Sequence, residues 1–151
     1  MPATLTDLPV ALSIAGSDSG AGAGIQADLL TFAANGVYGT TAITCLTAQN
    51  PLGVSGVQAT SPAFVLEQCH QVTRHYRPKA LKTGMLLNVE VVEAVAGFIA
   101  EAKIPAVIDP VMVASSGATL LSVEAVAAVA RKLLPLAAVV TPNLDEASIL
   151  L

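Results

Sequence analysis

Short apolar or β-branched runs alternate with helical patterns from end to end of this chain, and that alternation constrains its fold more than any other feature. The runs at 10–15, 39–46, 54–58, 79–82, 105–109 and 137–141 read as strands. Helical patterns fill 22–35, 62–77, 89–102, 122–134 and 143–151. Ser61 followed by Pro62 marks a helix start, with proline at the first helical position. Asn88 before Glu90 and Ser122 before Glu124 put acids in the first turns of two more helices. Arg131 and Lys132 close the fourth helix ahead of Pro135. The 54–58 run follows its predecessor too closely for a crossover helix and predicts a small edge hairpin. Strand–helix alternation of this kind predicts an α/β fold, a three-layer α/β/α sandwich with right-handed crossovers and a mostly parallel sheet.

The first strand runs into A-G-S-D-S-G-A-G-A-G-I-Q-A-D at 15–28, a glycine-rich turn that opens a helix stopped by Asn35 and Gly36. Gly20, Gly22 and Gly24 allow backbone angles closed to other residues, and a helix N-terminus opening from such a loop suits a polar or anionic ligand. The spacing is not the G-x-G-x-x-G of dinucleotide sites, and the chain has no Gly-Lys pair for a P-loop. In open α/β sheets ligands sit beyond the carboxyl ends of the strands. Gly16–Asp28 follows the first strand, Gln49 the second, Lys82–Met85 the fourth, Asp109–Met112 the fifth and Thr141–Glu146 the sixth. All of these segments belong to one rim, which predicts a site there.

At 151 residues one domain is the natural reading, and 54% hydrophobic with 12% charged residues suits a buried parallel sheet. The apolar stretches are broken well short of the ~20 residues a membrane span needs. No basic, apolar leader opens the chain, which predicts a cytoplasmic protein. Cys45 and Cys69 match no zinc or redox spacing and read as free, buried thiols. A net charge of −4 and 3% aromatic residues argue against nucleic acid as a partner. The basic residues between Arg74 and Lys82 read as a solvated helix end that complements the helix dipole.

Individual side chains each have a plain structural role as well as a functional one. Asp28 lies just past the loop and reads as a first-turn acid. Asp109 emerges from a buried apolar run at a strand end, which is costly unless the carboxylate is used or paired. Asn143 and Glu146 have capping-box spacing. Met85 and Val111 suit core packing, Gly16 offers backbone, and Asp18 with Ser17 and Ser19 braces the loop. His70 and His75 read as surface residues.

Five motifs, the glycine loop with T-A-Q-N at 47–50, K-T-G-M at 82–85, D-P-V-M at 109–112 and T-P-N-L-D-E at 141–146, resemble the hydroxymethylpyrimidine/phosphomethylpyrimidine kinase family of thiamine biosynthesis, within the ribokinase-like superfamily. They come in the family's order and spacing across the whole chain, with only small-for-small variation at Gly20 and Ala21. The resemblance implies a transferase that uses ATP and Mg2+ to phosphorylate 4-amino-5-hydroxymethyl-2-methylpyrimidine and its monophosphate. It implies substrate contacts from Gln49, Asp28, Gly16, Met85 and Val111, with Asp109 and Glu146 on the metal side. A carboxylate at Asp28 suits an exocyclic amino group, and the Gln49 carboxamide complements an aminopyrimidine edge. The family's anion hole, most of its ATP site and its activating residue would lie beyond Leu151, so no catalytic residue is expected within these residues. The chain is thus expected to be a ribokinase-like domain, 1–151, lacking its C-terminal part. Two readings stay open beside this one: a pyridoxal or pyridoxine kinase of the same fold, and a non-catalytic fragment. Expected partners are the small pyrimidine and, as an open question, a second copy of the chain, with neither nucleic acid nor membrane.

Overall fold

The computed structural model of the chain describes residues 8–112 and 121–151. Its elements run β1 (Val10–Asp18), α1 (Gly24–Ala34), β2 (Tyr38–Asn50), β3 (Gly53–Ala59), α2 (Pro62–Tyr76), β4 (Ala80–Thr83), α3 (Val89–Ala102), β5 (Ala106–Ile108), α4 (Val123–Ala128), β6 (Val139–Val140) and α5 (Leu144–Leu150). The helix starts follow from local chemistry. Ser61, Asn88 and Ser122 each accept a backbone N–H of the helix that they open. Asn143 and Glu146 form a complete capping box at the start of α5.

α2 and α3 both stop at left-handed residues, Arg77 (φ 51°) and Lys103 (φ 53°), where glycine is usual. A cation there meets the negative end of the helix dipole. α4 departs from expectation. The regular helix predicted through residue 134 ends at Ala128, and the chain continues as a π-turn over Val129–Leu133 and a 3-10 turn over Leu134–Leu136. Pro135 has no N–H to donate, so the regular ladder cannot run through it.

The strands form one six-stranded sheet in the order β3-β2-β1-β4-β5-β6. Every pairing is parallel except β2 with β3, the edge hairpin that the sequence predicts. Alternation along the strands separates two faces. Leu12 and Ile14 of β1, Leu81 of β4 and Ile108 of β5 join Val65 and Cys69 of α2 and Val91, Val92, Val95 and Ile99 of α3 in the main core. Burying each of the aliphatic side chains among these contributes about 1.5–3 kcal/mol. Ser13, between Leu12 and Ile14, points the other way and meets α1. α1 lies close on β1 and β2 because residue 39 is glycine, where a Cβ would stand 2.5 Å from Leu29 Cδ2. These are the three layers expected.

Two register shifts mark the rim. β1 slips against β2 between Ala15 and Ser17, at Gly16, and β2 slips against β3 between Ala48 and Gln49. Such bulges bend a strand and re-aim its side chains. Among the described residues no helix is long and apolar enough to cross a membrane.

Candidate functional site

The loop between β1 and α1 is held by its own carboxylate. Asp18 is buried and accepts the N–H groups of Gly20, Gly22 and Ala23 at 2.8–3.0 Å. Gln26, in the first turn of α1, accepts the Asp18 N–H at 2.9 Å and donates to the Ser17 hydroxyl at 2.7 Å. Asp18 and Ser17 therefore brace the loop, as expected of them. Ser19 ties the loop to β2: its hydroxyl donates to Gln49 O at 2.9 Å and accepts Gln49 N–H at 2.8 Å.

At the Gly16 bulge the backbone is closely packed. A Cβ on residue 16 would lie 2.9 Å from Cys45 Sγ and 3.1 Å from Met85 Cε. Gly16, Cys45 and Met85 thus converge from β1, β2 and the segment after β4 into one small apolar seat. Met85 is anchored through its backbone, whose carbonyl accepts the Thr44 hydroxyl at 2.6 Å. Gln49 stands farther along β2, half-buried, with Oε1 3.2 Å from the Thr47 hydroxyl. No hydrogen bond among the described residues joins its carboxamide to Asp28, Met85 or Val111.

A row of charged groups adjoins this seat. Asp28 is in the second turn of α1 rather than its first, since the helix begins at Gly24, and its carboxylate faces the sheet instead of serving the helix dipole. The Ser13 hydroxyl donates to Asp28 Oδ2 at 2.6 Å. Lys82 Nζ stands 3.1 Å from Asp28 Oδ1 and 3.4 Å from Asp109 Oδ2. The structure therefore removes Lys82 from the solvated cluster in which the sequence reading placed it. The missed signal was polar residues at matching places in two otherwise apolar strands, Ser13 in β1 and Lys82 in β4, which face each other in register.

Burial raises the Asp109 pKa above the ordinary carboxylate value. Lys82 opposes that shift, and the negative charges of Glu146 and Asp28 add to it. Val111 follows Asp109 and donates its N–H to Asp109 O at 2.9 Å, and both residues line a small crevice with Gly84. Glu146 is 3% exposed, and both its oxygens already accept backbone N–H groups, from Met112 at 3.2 Å and from Asn143 at 3.0 Å. Its capping role is thus plain in the structure. It also ties α5 to the segment after β5.

Among the described residues no cluster of three or more His, Cys, Asp or Glu side chains is arranged to enclose a metal ion. Asp109 lies near enough to Glu146 for its carboxyl to feel that charge, and one or two carboxylates completed by phosphate and water are a usual magnesium shell; Asp109 already pairs with Lys82, and both Glu146 oxygens accept backbone N–H groups. The two cysteines are free and buried, and burial pushes the Cys69 thiol up to about 12. His75 is exposed as expected, whereas His70 is half-buried with its ring edge-on to Phe98.

Relatives and solved structures agree on what the chain is like. It is 59% identical over 143 residues to a hydroxymethylpyrimidine/phosphomethylpyrimidine kinase of Synechococcus elongatus, covering 95% of this chain and 54% of that protein. It is 48% identical to the Haemophilus influenzae enzyme of the same description, covering 97% of this chain and 55% of the other. The chain thus spans about half the length of the curated relatives it matches. The crystal structure of phosphomethylpyrimidine kinase from Clostridium difficile 630 superposes with a TM-score of 0.89 at 40% identity, over 94% of this chain and 62% of that one. An ADP complex of Bacillus subtilis pyridoxal kinase gives a TM-score of 0.84 at 41% identity, over 95% of this chain and 53% of that one. Both likenesses fit the ribokinase-like architecture. The phosphomethylpyrimidine kinase family model matches residues 18–151, and the chain belongs to that family.

Proposed function

We propose that the full-length protein uses ATP and Mg2+ to phosphorylate the hydroxymethyl group of 4-amino-5-hydroxymethyl-2-methylpyrimidine, and then the resulting monophosphate, for thiamine biosynthesis. The observation that carries this reading is the meeting, on one rim, of the apolar seat at Gly16 and Met85 with the charged row of Asp28, Lys82 and Asp109. A flat heteroaromatic ring with polar edges needs both. Met85 and Val111 would lie against the ring and Gly16 would let it approach the backbone. The Asp28 carboxylate would accept from the exocyclic amino group, and Gln49 would read a donor–acceptor edge.

Phosphoryl transfer asks the protein mainly for alignment and charge neutralisation. These residues hold the acceptor; the base and the anion hole are not assigned to any of them. Asp109 and, through its remaining lone pairs, Glu146 would help hold magnesium, which would neutralise charge on the transferring phosphate. The buried thiols of Cys45 and Cys69 suit a reducing cytoplasm. The Bacillus subtilis likeness supports a second reading, pyridoxal as acceptor, because it too is a hydroxymethyl heteroaromatic.

ADP release by the full-length protein, followed with the pyrimidine, its monophosphate and pyridoxal offered separately, tests the reading. The pyrimidine and its monophosphate are expected to drive turnover. Turnover with pyridoxal alone would replace this function with the second reading.

A further inference from the structure

Lys82 is the cation that pairs with both Asp28 and Asp109 among the described residues, and it does so from within the sheet. β4 sets it beside Ser13 of β1 and Val107 of β5, so its side chain rises on the face that α1 covers. An ammonium so placed is costly unless paired, and its side chain is only 23% exposed. The neighbouring sequence makes room for it. A Cβ on residue 84 would stand 2.9 Å from Ala15 Cβ and 3.3 Å from Lys82 Nζ, so glycine there avoids a clash with β1 and leaves the ammonium uncrowded.

The two carboxylates come from different layers, one on α1 and one just past β5. The ammonium has three donors and no acceptor, so it can hold both at once. Lys82 and the Ser13 hydroxyl between them reach both oxygens of Asp28 and set the direction of its free lone pairs. The same positive charge stands beside Asp109, where it repels any arriving cation.

We propose that Lys82 is a positioning residue with opposite effects on the two halves of the site: it orients Asp28 toward the pyrimidine and weakens divalent-cation binding at Asp109. This rests on the function proposed above. A purely structural lysine would, when removed, weaken both kinds of binding together.

The test uses the full-length protein with Lys82→Met and Lys82→Gln, the second keeping hydrogen-bonding capacity should the first fail to fold. Circular dichroism checks the fold. Calorimetry gives pyrimidine affinity, and the paramagnetic resonance signal of free Mn2+, with AMP-PCP present, gives metal affinity. Pyrimidine affinity is expected to fall about tenfold or more, as for a lost charge-assisted hydrogen bond. Mn2+ affinity is expected to rise several-fold as the repelling charge is removed. Ser13→Ala, which takes a donor from Asp28 without changing charge, should weaken the pyrimidine and leave Mn2+ unchanged. Unchanged pyrimidine affinity in the folded variants, or parallel loss of both affinities, overturns the proposal. A wild-type protein that does not bind the pyrimidine at all overturns the functional reading beneath it as well.

Discussion

The Gln49 carboxamide has its Oε1 near the Thr47 hydroxyl, and no hydrogen bond among the described residues engages its amide N–H groups, which supports the role proposed for it above. Gln49→Ala is expected to weaken pyrimidine binding by roughly 1–3 kcal/mol, the cost of an unsatisfied buried partner. Calorimetry showing equal affinity would remove Gln49 from the site. Asp28→Asn should cost more, because it presents a donor to a donor and also strips Lys82 of a counter-charge. Asp109 carries a separate prediction about stability. Its folded-state pKa is raised, chiefly by burial, so the unfolded chain gives up that proton more readily than the folded one. The ionised carboxylate therefore costs stability. The penalty is absent below the unfolded pKa and complete above the folded one. Asp109→Asn should accordingly stabilise the fold at pH 7, with the gain shrinking toward pH 4, while harming metal-dependent activity. Urea midpoints at the two pH values check the sign.

Elements around the site are held by a few tight turns. Gly24 opens α1 at φ 60°, and a Cβ there would lie 2.4 Å from the Gly16 carbonyl oxygen, a backbone atom with nowhere to move. Gly24→Ala is expected to cost about 1–3 kcal/mol in chemical denaturation and to loosen the Asp18 hydrogen bonds with the loop. A variant as stable as wild type would show that the turn can relax. α5 depends on its capping box, and Glu146 also holds the Met112 N–H. Asn143→Ala should cost about 1 kcal/mol. Hydrogen exchange should show faster exchange at Glu146 N–H, and at Met112 as well if Asn143 is what keeps Glu146 in place.

At the scale of the whole molecule, β6 pairs with β5 on one side and with no strand among the described residues on the other. Val139 and Val140 are exposed at 52% and 38%, and Leu144 and Ile149 of α5 are exposed nearby in sequence. Unpaired edges and contiguous apolar surface invite other chains. A polypeptide of residues 1–151 alone is expected to self-associate in light scattering, and Val140→Lys should reduce that association. The same polypeptide is expected to show no pyrimidine-dependent ATP turnover, because preorganised donors around the transferring phosphate supply the largest catalytic contribution and none is assigned here. Monodisperse, active 1–151 would contradict both expectations.

The parts of this protein legible from its sequence depend on neighbours a few residues apart. Strand and helix periods, the caps at Ser61, Asn88, Ser122 and Asn143, and the brace at Asp18 all act within one turn or loop, so residue order alone sets them. The rim was legible too, since strand–helix alternation sends every strand end that carries a motif to the same side. Lys82 was not. Its partner Asp28 is 54 positions away, and the pairing exists only because β4 inserts between β1 and β5 in one register. Asp28 likewise turned from a helix-start acid into a sheet-facing one because α1 packs its carboxylate against Ser13 of β1 and Lys82 of β4, a meeting that only the layer packing decides. Cys45 and Met85 meet Gly16 through a bulge whose position depends on how two strands slip past each other. Burial and ion pairing are properties of the packed layers, and a lysine's charge is as well served by water as by two carboxylates until the fold removes the water.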